Sequence, residues 1–573
     1  MLATEPTTDA VIAGARETDV RHFRQILLWP LRLMRSRDRS GTPQKPWQVL
    51  RDLGEASPWR EVVKQYTGDS ANFHERHYNE FVTFLPYVQR FLYGEPRRKR
   101  TDDTPKQTEG EERIYGSPMR VFRRNDIAQV RVVTQPGFPS ITLDIVHVDL
   151  YFFYDVDLVL LNVEVSANDL SLKQAQEVLY RFGRGYPSGW DADGEALHCL
   201  SNVEWLDAKG EVLASSDAQQ RDAFLQHVSE HRAPRTAAHW AFLLQPLVSD
   251  HSDQPGALRY RQIEYYRMPL MGYLAVNNPR AISRNDFIRL GLVTGAGKDD
   301  DTSGACLAPY AEDHLTDFEQ RFCYDRFWAN AGAAPNTRYL CSGHAMIVVG
   351  DARAEFYACR DRGVLAQFRH QHFLLFLIAH FQKASLLMFS DRLVEALKRL
   401  QVNDTNSVRR FKREIRGSFE GFLRFTHRYW FHEVAEQAQA RALFHLCASH
   451  LELDPLYIEV KERMHDMNQY LDADSLRRQA NTVVRLTVVT IFGLIGTITT
   501  GFLGMNLLAE ADASWPRKIT LTALVLVPTI ALTLYTMVKS KRLSDFLDAL
   551  SDERLSFWQK SKAFFAVWTG PKQ

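Results

Sequence analysis

The side chains best placed to do chemistry lie near the C-terminus. Asn506 follows Gly504 and Met505 in an uncharged run that begins at Leu486. Its amide presents a neutral carbonyl oxygen, a hard ligand able to hydrogen-bond the water shell of a small divalent cation without stripping it. A carboxylate there would hold the ion more strongly. Upstream, Leu486, Thr490, Leu494, Thr497 and Gly501 recur at helical spacing, so one face alternates apolar residues with hydroxyl-bearing or small ones. Repeated around an axis, such a face would set apolar constrictions between polar rings, as in a gated pore. Downstream, Glu510 and Asp512 are acids of a short connection in which Arg517 and Lys518 oppose them, and Lys539, Lys541 and Arg542 form a basic cluster.

These residues need a scaffold, and the flanking sequence supplies one. Residues 486–509 carry no charge, and neither do residues 519–538. Each run is long enough, as a helix, to cross a hydrocarbon core of roughly 30 Å. The connection between them suits two adjacent antiparallel helices. A membrane hairpin is therefore expected, with spans at 486–506 and 519–538. Trp515 and Pro516 read as an interfacial anchor and a helix start. Arg477, Arg478 and Arg485 precede the first span and the basic cluster follows the second, so positive-inside counting puts both termini in the cytoplasm.

A Gly-Met-Asn triplet closing the first of two C-terminal spans resembles the CorA family of divalent-cation channels. The resemblance implies a homo-pentamer in the cell (inner) membrane, in contact with lipid. In it Gly504 and Met505 shape the turn, and Asn506 forms the outer selectivity ring, meeting the metal through its hydration shell. It also implies that the Leu486–Gly501 face lines the pore, that acids such as Glu510 and Asp512 gather cations at the entrance, and that a basic collar surrounds the exit. The function implied is passive entry of Mg²⁺, or of Co²⁺, Ni²⁺ or Zn²⁺, with no enzymatic activity and no cofactor. Departures from the family are plain: its Met-Pro-Glu-Leu loop motif is missing from "LLAEADASWPRK", the pre-membrane region is long, and a tail follows the last span. The rivals are a zinc transporter of the same fold and a signalling or enzymatic domain that the hairpin merely anchors. The hydroxyls and glycines of the two spans speak against a mere anchor.

The rest of the chain predicts an α+β cytoplasmic domain followed by a long helical stalk and the two-helix transmembrane hairpin. Residues 1–95 read as a helical N-terminal segment, within which "HFRQILLWPLRLMRSR" looks like a basic amphipathic helix packed on its own domain. Further helix-like segments fall near 59–66 and 78–93. Residues 96–113 are a charged linker. Residues 114–352 alternate or run apolar in strand fashion, with a helix at "SLKQAQEVLYRFGRG". Residues 353–484 are helical. The apolar "HFLLFLIAHFQKASLLMF" is interrupted by His380, Gln382 and Lys383, so it is expected in the core and not as a third span. Leu453, Tyr457, Val460, Met464, Met467 and Leu471 form a heptad seam, which suggests parallel self-association continuous with the pore. Residues 485–542 are the hairpin and 543–573 a cytoplasmic tail.

Other signals narrow the field. A net charge of +1 offers no argument for nucleic acid. The 6 cysteines contain no Cys-x-x-Cys pair and read as reduced thiols. The N-terminus has no apolar core for a secretory signal, and its acids are unlike a mitochondrial leader. "GLVTGAGKDDD" has the wrong spacing for a phosphate loop. His427, His432 and Glu433, expected on one helix, do not make His-Glu-x-x-His. Asp144, Asp149, Asp155 and Asp157 alternate along strands and are expected mostly at surface or turn positions.

Overall fold

Residues 20–33, expected as a basic amphipathic helix, instead form the strand Val20–Leu33 at the centre of a 14-stranded mixed sheet. The computed structural model describes residues 18–34, 36–37, 43–62, 75–94, 118–256, 258–264, 267–297, 309–401, 405–504, 514–520, 523–524, 527–528 and 530–531. The charged linker, the second span beyond 531 and the C-terminal tail lie outside them. The chain divides into two compact units, Met1–Glu462 and Arg463–Gln573. The helical region after residue 353 therefore belongs, as far as Glu462, to the same unit as the sheet.

The central strand explains the misreading. Its odd-numbered residues Phe23, Leu27, Trp29 and Leu31 join one core cluster with Trp240 and Leu179. Its even-numbered Arg24 and Arg32 point the other way, to Glu164 and to the acids Asp391 and Glu395 of helix Phe373–Lys398. Both faces are covered, so the period-2 signal of a half-exposed strand is absent. Pro30 is tolerated because the strand changes partner beside it. Strand Leu270–Val276 pairs as far as Leu27, and strand Leu258–Gln262 takes over at Leu31. The Leu28 amide donates to Pro269 O on that side. Two residues on, the missing N–H of Pro30 faces the gap between the two partners.

Around this strand the sheet runs in the order Val212–Ser215, Asn202–Leu206, Gln129–Val133, Ile141–Phe153, Leu158–Leu170, Val20–Leu33, Leu270–Val276, Ala345–Asp351, Arg338–Cys341, Cys323–Tyr324. The pair Leu270–Val276 and Ala345–Asp351 is parallel, while Ile141–Phe153 and Leu158–Leu170 form the long antiparallel hairpin expected from their apolar runs. Helix Leu172–Arg181 starts where Ser171 caps the Gln174 amide and the Gln174 side chain returns the bond, a reciprocal capping box. Trp59, expected in a helix, lies on the short strand Trp59–Glu61, while the helical expectation near 78–93 is met by Glu75–Thr83 and Pro86–Tyr93.

Helix Phe373–Lys398 is buried along most of its length, in agreement with the core reading. Phe381 stacks on Phe153 of the sheet at 4.0 Å between ring centroids. Helix Thr405–Tyr429 follows, then Ala438–His450, which the sequence reading did not single out. The first of these stops at Tyr429, so His432 and Glu433 do not share a helix with His427. A 52-residue helix, Leu453–Gly504, then runs unbroken to the Gly-Met-Asn triplet. A new helical turn starts at Ser514, whose carbonyl accepts from the Arg517 and Lys518 amides.

Candidate functional site

Helix Leu453–Gly504 carries the predicted pore face, and the residues of that face are solvent-exposed in the single chain. Leu486 and Leu494 are 66% and 60% exposed, and Thr490, Thr497, Gly501 and Gly504 are exposed as well. The hydroxyls are not left unsatisfied. Thr490 Oγ1 donates to Leu486 O at 2.8 Å, and Thr497 Oγ1 to Gly493 O at 2.9 Å. Each thus satisfies its proton within its own helix and keeps oxygen lone pairs turned outward. Met505, Asn506, Glu510, Asp512, Lys539, Lys541 and Arg542 lie outside the described residues.

The seam expected on the same helix needs correction at its start. Leu453 and Val460 are buried within the single chain. Tyr457 stacks on Trp430 at 4.4 Å and on Phe422 at 5.9 Å. Tyr457 is thus covered by the chain's own aromatic residues, and Met464 is buried in the single chain as well, so no second copy is needed to bury these positions. Met467 and Leu471 remain half-buried.

Within the sheet unit the structure assembles a charged crevice that the sequence reading missed. Strand Ile141–Phe153 brings His147 and Asp149 to one face. Its neighbour places Glu164 opposite His147 and Asn162 opposite Asp149. Arg123, directly across from Asp149 on a third strand, grips it through two bonds of 2.7 and 3.0 Å. Glu164 accepts from Arg24 at 2.9 Å and from Arg369 Nε at 2.8 Å. A cavity of about 230 Å³ opens over this network. Burial depresses the pKa of His147, whose Nε2 lies 4.0 Å from Glu164 and 3.4 Å from Arg369 Nη2. Burial likewise pushes the Tyr151 hydroxyl well up.

Asp149 is therefore an interior ion-pair residue, contrary to the surface expectation. Asp155 and Asp157 lie in the turn between the two strands, as expected, where Arg428 and the Tyr429 hydroxyl, at 2.5 Å, bind Asp155 and Arg392 pairs with Asp157. Asp144, which accepts from Gln129 in an exposed position, fits the expectation. An available signal was the embedding of Asn162 and Glu164 in the run "LVLLNVEV" with no turn residue nearby. A charge inside a fully apolar strand has to be paired.

In chemical terms the crevice is a closed ion network, with its carboxylates committed to guanidinium partners. Among the described residues no group of three or more His, Cys, Asp or Glu side chains is arranged to hold a metal ion. Cys199, Cys323, Cys341, Cys359 and Cys447 are all free thiols, as expected of them. Comparison of the chain with protein-family models, with curated proteins and with solved structures gives no significant match.

Proposed function

We propose that the chain is a channel-type conduit for divalent cations, Mg²⁺ foremost, working as a homo-pentamer in the cell membrane with both termini cytoplasmic. The resemblance of the C-terminal hairpin to the CorA family is its basis. The observation that carries it is the helix Leu453–Gly504, which continues without a break from the sheet-bearing part of the chain into the uncharged run and is described as far as Gly504, the first residue of the triplet. Two further features support the reading. The Leu486–Gly501 face is open, and the threonine protons are satisfied by the helix backbone, so this segment can enter hydrocarbon without needing protein partners for its polar groups. No energy source beyond the membrane potential is required. A potential of 100 mV, inside negative, drives each charge by about 2.3 kcal/mol, hence about twice that for a divalent ion.

In this mechanism the ion arrives hydrated. Asn506 orders its water shell through amide oxygens, Thr490 and Thr497 supply lone pairs along the path, and Leu486 and Leu494 close it by dewetting. The test is ion-dye influx into liposomes holding the purified protein, with Mg²⁺, Zn²⁺, Co²⁺ and Ni²⁺ offered in turn. Asn506→Ala should assemble normally, by size-exclusion profile, yet lose most of its influx. An assembled Asn506→Ala protein that conducts at the wild-type rate would reduce the hairpin to an anchor.

A further inference from the structure

Helix Thr405–Tyr429 turns a row of arginines to solvent on the side opposite the one it buries. Phe411, Ile415, Phe422 and Phe425 are its buried residues together with Ser418. At about 3.6 residues per turn, Arg409, Arg413, Arg416 and Arg424 fall within about 80° of one another and about 180° from that buried set. All four are exposed, as is Arg410 at the edge of the row. The helix carries 7 Lys and Arg against 2 Asp and Glu, in a chain whose net charge is +1, so the excess is local. Arg428 is taken up by Asp155, and the acid Glu414 lies 3.9 Å from Arg399 of the neighbouring helix end. Among the described residues Arg409, Arg410, Arg413, Arg416 and Arg424 make no hydrogen bond or ion pair.

Apolar side chains accompany the row. Leu423, 40% exposed, lies within it, between Arg416 and Arg424. The end of helix Phe373–Lys398 is tied to the start of this helix. The Gln401 amide donates to the Ser407 hydroxyl at 2.8 Å, and that hydroxyl donates to Arg399 O at 2.9 Å. At this end Val394 and Leu397 are 42% and 43% exposed, next to the exposed Lys398 and Arg399. Guanidinium groups set along one straight face without counter-ions repel one another, and an array of anions relieves that repulsion. From Arg409 to Arg424 the helix rises about 22 Å, too long for one small anion and suited to an extended one. The exposed aliphatics select among extended anions. A lipid headgroup layer offers phosphates and hydrocarbon at one surface, whereas a nucleic-acid backbone offers charge alone.

We propose that this face docks on a bilayer surface rich in anionic lipid. The arginines bind headgroup phosphates, which a guanidinium grips through two parallel N–H bonds. Leu423 and the Val394–Leu397 end enter the headgroup boundary. Docking is independent of ion conduction, because none of these residues belongs to the pore face and the assay that tests it counts no ions.

The full-length chain, held in phosphatidylcholine nanodiscs, is mixed with vesicles, and its capture is read by co-flotation. Vesicles containing phosphatidylglycerol should capture the discs at least roughly tenfold more strongly than vesicles of phosphatidylcholine alone, and raised salt should release them. Arg409→Gln, Arg413→Gln and Arg416→Gln combined should weaken capture roughly hundredfold. The same three positions changed to Lys should keep most of it, because the surface charge is retained. Leu397→Asn should weaken it roughly threefold. Every position is exposed, so wild-type melting curves are expected of each variant and verify its fold. Equal capture by the two kinds of vesicle would overturn docking, as would full capture of the folded glutamine variant. If wild-type discs ignored both vesicles while the glutamine variant changed the size-exclusion profile, the face would be an interface between copies, and docking on lipid would fall.

Discussion

Helix Phe373–Lys398 and the final part of helix Leu453–Gly504 are both long, apolar and dotted with polar side chains, yet they satisfy those side chains differently. On the first, His380 Nε2 meets Gly343 O at 3.1 Å, and Gln382 Nε2 donates to Tyr429 O and Phe431 O at 3.0 and 3.3 Å. All three partners lie far along the chain, whereas the smaller Ser385 hydroxyl donates within the helix, to Phe381 O at 2.7 Å. On the second, each described threonine hydroxyl bonds a carbonyl three or four residues back. The difference gives a structural reason for the two fates that the residue types already suggest. A helix whose polar groups depend on distant partners belongs to a protein core. One that satisfies them internally can leave water for lipid or for copies of itself.

The strongest way to break this comparison is a charge placed on each helix. Phe376 is fully buried, so Phe376→Asp should cost more than about 4 kcal/mol and abolish folding of the sheet unit. Leu494→Asp should leave the thermal melt of that unit unchanged and instead deplete the protein from the membrane fraction. Equal melts for the two variants would erase the distinction. Next in size is the ion network at Arg369, which lies in the helical turn Phe368–His372 that leads into the first helix. Arg369→Met strips one of two guanidinium groups from Glu164 and should cost about 3 kcal/mol in denaturant unfolding. Adding Glu164→Gln should recover part of the loss.

Acid should separate the regions too. Burial drives His239 and His380 down to about 3 and His372 to about 4. These rings stay neutral in the folded unit, whereas the unfolded chain takes up protons below its ordinary pKa of about 6.5. The stability they confer is present above that pH and is lost as pH falls towards 4. At pH 5 the loss is about 2 kcal/mol for each ring. Chemical unfolding at pH 7 and pH 5 measures it, and the sheet unit should weaken while the helicity of residues 486–504 holds. Gln382→Leu, which leaves two carbonyls without their donor, should cost about 1–2 kcal/mol. The smallest effect belongs to Thr490→Val, whose hydroxyl serves only its own helix among the described contacts. It should change stability by less than about 0.5 kcal/mol while lowering the ion flux measured in liposomes.

Much of the sheet was legible because it is built from hairpins. The runs around 141–170, the helix that follows Ser171 and the paired strands near 202–215 and 338–351 rest on contacts close in sequence. The central strand was illegible for the opposite reason. Its neighbours, Leu158–Leu170 and Leu270–Val276, lie more than a hundred residues away, and helices brought in from still farther cover it. The charged crevice failed in the same way. Asp149 and Glu164 look like ordinary strand acids until Arg123, Arg24 and Arg369 arrive from three separate segments. Asn506 and the residues beyond it were legible only as a pattern of types and spacing.

By itself the sequence determined the lengths and polarity of the segments: the uncharged runs at 486–509 and 519–538, the strand alternation after residue 118, and the apolar helix interrupted at His380 and Gln382. These depend on local propensity and on side-chain chemistry, which each residue carries with it. Only the tertiary structure decided that residues 20–33 form the central strand, and that Arg123, Arg24 and Arg369 pair with Asp149 and Glu164. Such outcomes depend on which distant residues satisfy a buried polar group, and that partner is chosen by packing.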